Sequence, residues 1–181
     1  MKYLMVCFLF LSSAAYSQEN NLSVTGGYST TTGNFSGSTP SGYKIALNYD
    51  FKPTGETWTI GGGMAYIPLS GTDATILGGT TYKVTTIPIY VVGKYMVGSE
   101  KFQAFLRVAL GTQFSSISYN GPVVAKHESQ IGMSVAPGLG LNIWLSDKIY
   151  FTADYEFLWI SNPINDPGWI TSASGGFGMR F

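Results

Sequence analysis

Charged residues are scarce in this sequence. Ten residues are basic and ten are acidic, so charged side chains make up only 11% of 181 residues. That is less than half the usual share for a soluble domain. A chain with so little charge is a poor candidate for a surface that faces water on every side. Because the two signs balance, no basic surface for nucleic acid is expected either.

Cysteine and long apolar runs are also nearly absent. The one cysteine is Cys7, so no disulfide framework is expected in the chain that follows it. No run of about 18 apolar residues occurs, which excludes a transmembrane helix. Metal-ligand clusters and phosphate-binding loops are missing, so no metal and no other cofactor is expected. The glycine-rich stretches 61–63 and 138–140 lie in predicted strands, where small side chains allow close packing.

The first 17 residues have the composition of a secretory signal peptide. Lys2 precedes an apolar run over residues 3–11, and Ala15 and Ser17 fit the small-residue cleavage rule. We therefore predict a signal peptide over residues 1–17 and one exported domain over residues 18–181.

Apolar residues are abundant and alternate with polar or small residues. They make up 45% of the chain, and 15% of all residues are aromatic. Eight segments place them at every second position, as a strand with two different environments on its faces requires. Residues 130–145 are the clearest case, because their apolar side chains fall on odd positions. Each segment reaches the roughly 9–11 residues that a tilted membrane strand needs.

The connections between these segments alternate in length. Short polar turns are predicted at 52–56, 98–101 and 146–148, and longer loops at 30–42, 70–81, 118–128 and 161–168. This alternation is typical of an outer-membrane barrel with periplasmic turns, extracellular loops and both termini in the periplasm. The predicted fold is all-β: an eight-stranded antiparallel up-and-down transmembrane β-barrel. A soluble β-sandwich or lipocalin-like barrel also alternates, but its polar outer face would need many more charges.

Large aromatic residues cluster at both ends of the predicted strands, as two bilayer interfaces require. The periplasmic group comprises Phe51, Trp58, Tyr95, Phe102, Phe151, Phe177 and Phe181, and the extracellular group Tyr28, Tyr43, Tyr66, Phe114, Trp159 and Trp169. Pro88 and Pro137 interrupt two of the strands, and we predict a β-bulge at each.

The opposite, inward faces carry a small set of charges. By parity this lumen charge network comprises Lys44, Asp50, Lys94, Arg107, Asp154, Glu156 and Arg180. Charges withdrawn from water need partners. We expect Arg107 to reach Asp154 and Glu156, and Asp50 to pair with Lys94 or Arg180. Eight strands leave an interior only wide enough for side chains, so an open channel is not expected.

The motifs "TIPIYVVGKY", "APGLGLNIWL" and the terminal "GFGMRF" resemble the small outer-membrane β-barrel proteins of Gram-negative bacteria, including the OmpA and OmpX-type barrels. The resemblance implies an integral outer-membrane protein, surrounded by outer-membrane lipid and monomeric. In that family a terminal aromatic, preceded by apolar residues at alternate positions, is the recognition signal for the barrel assembly machinery. Phe177, Met179 and Phe181 match that signal.

No catalytic residues are predicted, so the expected role is structural or carried by the loops. One alternative is a passive conduit for small hydrophobic compounds, as in the OmpW group, based on inward Tyr90, Ile67 and Ile170. Another is a lipid A acyl hydrolase, because His127 and Ser129 are similar to the His-x-Ser pair of the outer-membrane deacylases. That family orients its histidine with a carboxylate, and none is predicted on the outward face here.

Overall fold

Eight antiparallel strands close into a barrel in a computed structural model of the chain. The structure describes residues 18–32, 39–73, 80–120, 125–161 and 168–181. The strands are β1 (Gln18–Thr32), β2 (Ser41–Pro53), β3 (Trp58–Asp73), β4 (Thr80–Gly98), β5 (Phe102–Asn120), β6 (Ala125–Trp144), β7 (Ile149–Ile160) and β8 (Gly168–Arg180). Each strand pairs with its sequence neighbours, and β1 pairs with β8. The predicted fold and topology are confirmed.

Large apolar side chains face outward and polar ones face inward. Leu106 is 63% exposed and Ile131 is 68% exposed, whereas Arg107 is only 5% exposed. This is the reverse of a soluble barrel and matches a wall in contact with lipid. Among the described residues, no helix is long and apolar enough to cross a bilayer.

The short connections lie at one end of the barrel. Residues 54–57, 99–101 and 145–148 join β2 to β3, β4 to β5 and β6 to β7. Gly55 and Gly98 have φ angles of 80° and 132°, in the left-handed region that glycine adopts without steric cost. β1 also begins and β8 also ends at this end of the barrel. We call it the turn end, and we call the opposite end the loop end. The predicted signal peptide at 1–17 lies outside the described residues, as do residues 33–38, 74–79, 121–124 and 162–167 of the predicted loops.

Strands β3 to β6 extend further toward the loop end than expected. Asp73 and Thr80 are paired, as are Asn120 and Ala125. The sequence prediction of loops over 70–81 and 118–128 was therefore wrong at their edges. The predicted loop over 30–42 was wrong at its edges too, because β1 continues to Thr32 and β2 begins at Ser41. Hydroxyl-bearing and charged residues replace the outward apolar residues in these extensions. The apolar residues there, such as Val84 and Ile117, occupy the inward positions instead. The alternation therefore reverses its phase, and the outward apolar face that was used to find the strands cannot be followed into the extensions.

The predicted bulges are wrong as well. Pro88 pairs with Gln113 and Pro137 with Val108 in ladders whose register is continuous. A bulge would add one residue to one strand and shift the register beyond it. Each proline instead lies in a short unpaired stretch facing its other neighbouring strand. For Pro88 this stretch is between β4 and β3, and for Pro137 it is between β6 and β7. The missing N–H therefore interrupts one ladder locally without changing the residue count.

Aromatic rings from both predicted groups meet on the outer wall. Tyr43 and Tyr66 lie 6.2 Å apart between ring centroids at the loop end. Phe151 and Phe177 lie 5.7 Å apart at the turn end. Ring pairs at this spacing across neighbouring strands stabilise the sheet. They also mark the two bilayer interfaces, with aliphatic side chains between them.

Candidate functional site

All seven residues of the predicted lumen charge network lie on the inner side of the barrel wall, and four of them form one cluster. This central quartet consists of Lys44, Arg107, Asp154 and Glu156, each at most 9% exposed. Lys44 Nζ lies 2.5 Å from Glu156 Oε1, and Arg107 Nη1 lies 3.3 Å from Glu156 Oε2. Asp154 Oδ2 is more distant, at 3.6 Å from Arg107 and 3.9 Å from Lys44. The formal charges of the quartet cancel.

Glycine lets these long side chains span strands that are not neighbours. Arg107 and Glu156 both pair with Gly138, so the three residues form one row across β5, β6 and β7. A Cβ at Gly138 would lie 2.8 Å from the Tyr155 backbone oxygen, 3.1 Å from Glu156 Cβ and 3.2 Å from Arg107 Cγ. The missing side chain therefore leaves the space through which the two charges meet.

A second row connects Lys44 to Asp154. Lys44 pairs with Gly27, Gly27 with Ser174, and Ser174 with Asp154. The two intervening positions carry no side chain and a small one, so the lysine can extend over them. The pairing of Arg107 with both carboxylates was expected from the sequence, but the position of Lys44 between them was not.

The remaining charges lie toward the turn end. Lys94 Nζ contacts Asp50 Oδ2 at 2.5 Å, which selects one of the two partners expected for Asp50. Arg180 instead pairs with Glu19 at 3.3 Å and lies 3.8 Å from the centroid of the Trp144 ring. Sequence reasoning missed Glu19. Its parity with the inward positions of β1 could have identified it, since Leu22 in that strand points outward.

Tyr90 links the quartet to β2. Its hydroxyl donates to Asn48 Oδ1 at 2.8 Å, and the Arg107 guanidinium lies 5.6 Å from the ring centroid. The Tyr90 ring passes over Gly63, where an added Cβ would come within 2.9 Å of Cε2. Tyr90 therefore fills the narrow lumen beside the quartet.

The loop end of the lumen is apolar. Sequence reasoning identified only Ile67 and Ile170 here, because several of the others lie in strand extensions where the apolar residues occupy the inward instead of the outward positions. The buried aliphatic residues are Ile67, Leu69, Val84, Ile117, Leu158, Ile160 and Ile170. A cavity of about 20 Å³ remains among them, and one of about 10 Å³ lies among the polar side chains of the turn end. Each is close to the space one water molecule needs.

His127 and Ser129 lie on the outer wall, in β6, with Nε2 and Oγ 3.5 Å apart. The other ring nitrogen, Nδ1, lies 2.8 Å from Ser118 Oγ, and Ser116 Oγ is 3.5 Å from Nε2. A hydroxyl therefore takes the position that a carboxylate holds in a catalytic triad. Glu128 falls on the inward face, opposite the buried Ile117.

We predict that Gly138→Val destabilises the folded barrel by about 1–3 kcal/mol, because the new side chain clashes with the Tyr155 carbonyl and separates Arg107 from Glu156. Gly93→Val is the matched control: Gly93 is exposed on the outer wall, and an added Cβ there meets no atom within 4 Å. Its effect should stay within about 0.5 kcal/mol. Urea unfolding of both variants in lipid vesicles measures the difference. Equal losses would show that the space above Gly138 is not needed.

The family model for the outer membrane protein beta-barrel domain matches residues 3–181. The chain belongs to this family. It is an integral outer-membrane protein. The resemblance seen in the sequence motifs is confirmed.

Solved outer-membrane barrels share the fold of this family member. The attachment invasion locus protein Ail of Yersinia pestis is 16% identical, with a TM-score of 0.61 over 91% of this chain and 99% of that one. Neisserial surface protein A has 12% identity and a TM-score of 0.64, covering 90% and 97%. A major outer membrane protein from Thermus thermophilus has 12% identity and a TM-score of 0.63, covering 90% and 99%. No curated protein matches the sequence.

Proposed function

We propose that this outer-membrane barrel is a non-enzymatic envelope protein with a closed lumen, and that its role is structural or is carried by its extracellular end. The filling of the lumen carries the proposal. Charged pairs occupy the turn end, the central quartet and Tyr90 lie beyond them, and aliphatic side chains occupy the loop end. Within the described part of the lumen, cavities of about 10 and 20 Å³ have room for single waters. A larger space of about 590 Å³ lies at the turn-end mouth, where its lining includes Glu19, Lys101 and Asp147.

The apolar loop end favours one second candidate, a conduit for small hydrophobic compounds. A hydrophobic molecule entering there would meet Ile117, Ile160 and Ile170, all at most 7% exposed. Below them it would meet the central quartet. An apolar molecule that separated these charges could not take the place of the lost ion-pair partner, so its passage would be unfavourable. This arrangement favours a dry seal over a passage.

The hydrolase alternative has weaker support. A serine nucleophile needs a histidine base that is itself held in the correct tautomer, usually by a carboxylate. His127 has Ser118 at Nδ1, and Ser129 competes with Ser116 at Nε2. A hydroxyl does not stabilise an imidazolium as a buried carboxylate does. We therefore propose no acyl transfer at this pair.

Electrical recording tests the closed lumen. Purified full-length protein in planar bilayers is expected to give no sustained current, because the quartet blocks the lumen. Fatty acid released from lipid A by the same preparation should stay at the level of a Ser129→Ala control. A steady ohmic current that Lys44→Ala enlarges would overturn the closed lumen. Release of fatty acid that depends on Ser129 would overturn the absence of catalysis.

A further inference from the structure

A band of hydroxyl and nitrogen groups lies on the outer wall at the loop end. On β5 the outward position after Phe114 changes from aromatic to serine. On β4 and β6 the outward positions beyond Ile87 and Ile131 change from isoleucine to threonine and serine. We call these positions the outer hydroxyl band: Lys83, Thr85, Ser116, Ser118, His127 and Ser129. Lys83, His127 and Ser129 are exposed, and the other three are half-buried. Neither the closed lumen nor the strand fold requires such a composition.

The band is ordered in two rows by strand pairing. Lys83 pairs with Ser118, and Ser118 with His127, across β4, β5 and β6. Thr85, Ser116 and Ser129 form the parallel row nearer the membrane. The imidazole contacts both rows, at 2.8 Å from Ser118 Oγ and 3.5 Å from the hydroxyls of Ser116 and Ser129. The donors and acceptors are therefore held in place before any ligand binds.

Depth places the band against lipid headgroups. Phe114, 46% exposed, belongs to the aromatic group at the loop end. Ser116 and Ser118 follow it by two and four residues, or roughly 7 and 14 Å along the strand at about 3.4 Å per residue. With a strand tilt of about 40°, these become heights of roughly 5 and 10 Å. The headgroup layer on one side of a bilayer is about 5–7 Å thick, so the first row lies within it and the second roughly 3–5 Å beyond its outer edge.

The chemistry of the band selects a ligand class. Hydroxyls and an imidazole can donate to and accept from sugar hydroxyls, and the Lys83 ammonium can pair with a phosphate. Over the described part of β4 to β6 beyond the aromatic group, no outward position carries a carboxylate; Glu128 faces inward. An anionic ligand would therefore not be repelled by a negative charge in the band itself.

We propose that the outer hydroxyl band binds the phosphorylated sugar headgroup of a glycolipid in the outer leaflet. Lys83 contacts the phosphate, and Ser118, His127 and Ser129 hydrogen-bond the sugar. The protein would thereby hold a specific glycolipid against the part of its outer wall formed by β4 to β6. This site lies on the outer wall and does not depend on whether the lumen is closed.

His127 is the only histidine of the chain, so its ring is a specific reporter. Full-length protein labelled with ¹⁵N-histidine is placed in phosphatidylcholine nanodiscs, and lipopolysaccharide is added stepwise. The His127 ring resonances are expected to shift with saturation. Lys83→Gln should weaken the apparent affinity about tenfold, as loss of a charge-assisted contact implies. Lys101→Gln, at an exposed turn-end position, should change it less than about twofold.

Three further arms separate the sources of the signal. Dephosphorylated lipopolysaccharide should bind wild type and Lys83→Gln alike, because the phosphate contact is missing in both. Ser118→Ala should also weaken binding, since it frees Nδ1 of the His127 ring, and heat-modifiable gel migration verifies that both variants fold. Inorganic phosphate without glycolipid should leave the His127 resonances unmoved. The proposal would be overturned by a His127 resonance shift with phosphate alone or by the absence of a shift with lipopolysaccharide. Equal apparent affinities for lipopolysaccharide in the Lys83 and Lys101 variants would also overturn it.

Discussion

Phe181→Asp is expected to reduce folded protein in the outer membrane severalfold while leaving export intact. The Phe181 ring is 60% exposed on the lipid side, and its centroid lies 6.4 Å from that of Tyr49. Its backbone closes the seam between the two terminal strands: the Phe181 N–H donates to Asn20 O at 3.0 Å, and the Asn20 N–H donates to Phe181 O at 3.3 Å. We propose that this residue, with Phe177 and Met179, is also recognised by the barrel assembly machinery.

Two measurements distinguish recognition from stability. Cellular levels are compared by immunoblot of outer-membrane fractions, and purified variants are refolded into detergent without any assembly factor. If the terminal residue is a recognition signal, Phe181→Asp should refold nearly as well as wild type yet accumulate poorly in cells. Phe181→Tyr keeps an aromatic ring and is the matched control, expected at near-normal levels. Normal accumulation of Phe181→Asp would contradict the recognition role, and equal defects in both assays would assign the effect to the seam.

Lys44→Met is expected to destabilise the barrel by about 3–5 kcal/mol, the range for removing one partner of a buried ion pair. Lys44 is 1% exposed and is the cation nearest to Glu156. Without it, Arg107 faces two carboxylates alone. The double variant Lys44→Met with Glu156→Leu removes one charge of each sign and leaves Arg107 beside Asp154. Its loss should be well below the sum of the two single losses, because the quartet stays neutral.

A double-mutant cycle from urea unfolding in vesicles measures this coupling. Lys101→Met, at an exposed turn position, is the control and should change the free energy of unfolding by less than about 0.5 kcal/mol. If the losses from Lys44→Met and Glu156→Leu simply add, the two residues do not depend on each other. If Arg107 alone satisfied both carboxylates, Lys44→Met would have little effect.

The barrel itself follows from local features of the sequence. Alternation decides which side of a strand meets lipid, and it needs only neighbouring residues, as at Ile131 and Met133 in β6. Short turns and longer connections then give the up-and-down order. Both features act within a few residues of one another, so the fold class and the inward position of Lys44 or Arg107 could be predicted from the chain alone.

Two local predictions failed because a proline within a strand, and likewise a polar segment, can each be accommodated in more than one structure. Pro88 suggested a bulge, but a missing N–H affects one ladder and leaves the register unchanged. The segment around His127 was predicted as a loop because it is polar. It is a strand whose outward face lies beyond the bilayer core. There the outward side chains are polar, so the polarity of a residue no longer indicates which side of the strand faces outward.

The partners inside the lumen were decided only by closure of the barrel. Parity places Glu156 and Arg107 on the inner face, but it does not say which strands bring them to the same height. That depends on the stagger between β5, β6 and β7, which aligns both residues with Gly138. In the same way, Gly27 opens the path from Lys44 to the β7 carboxylates. Stagger is a property of all eight ladders together, because a barrel closes only when their offsets are mutually consistent.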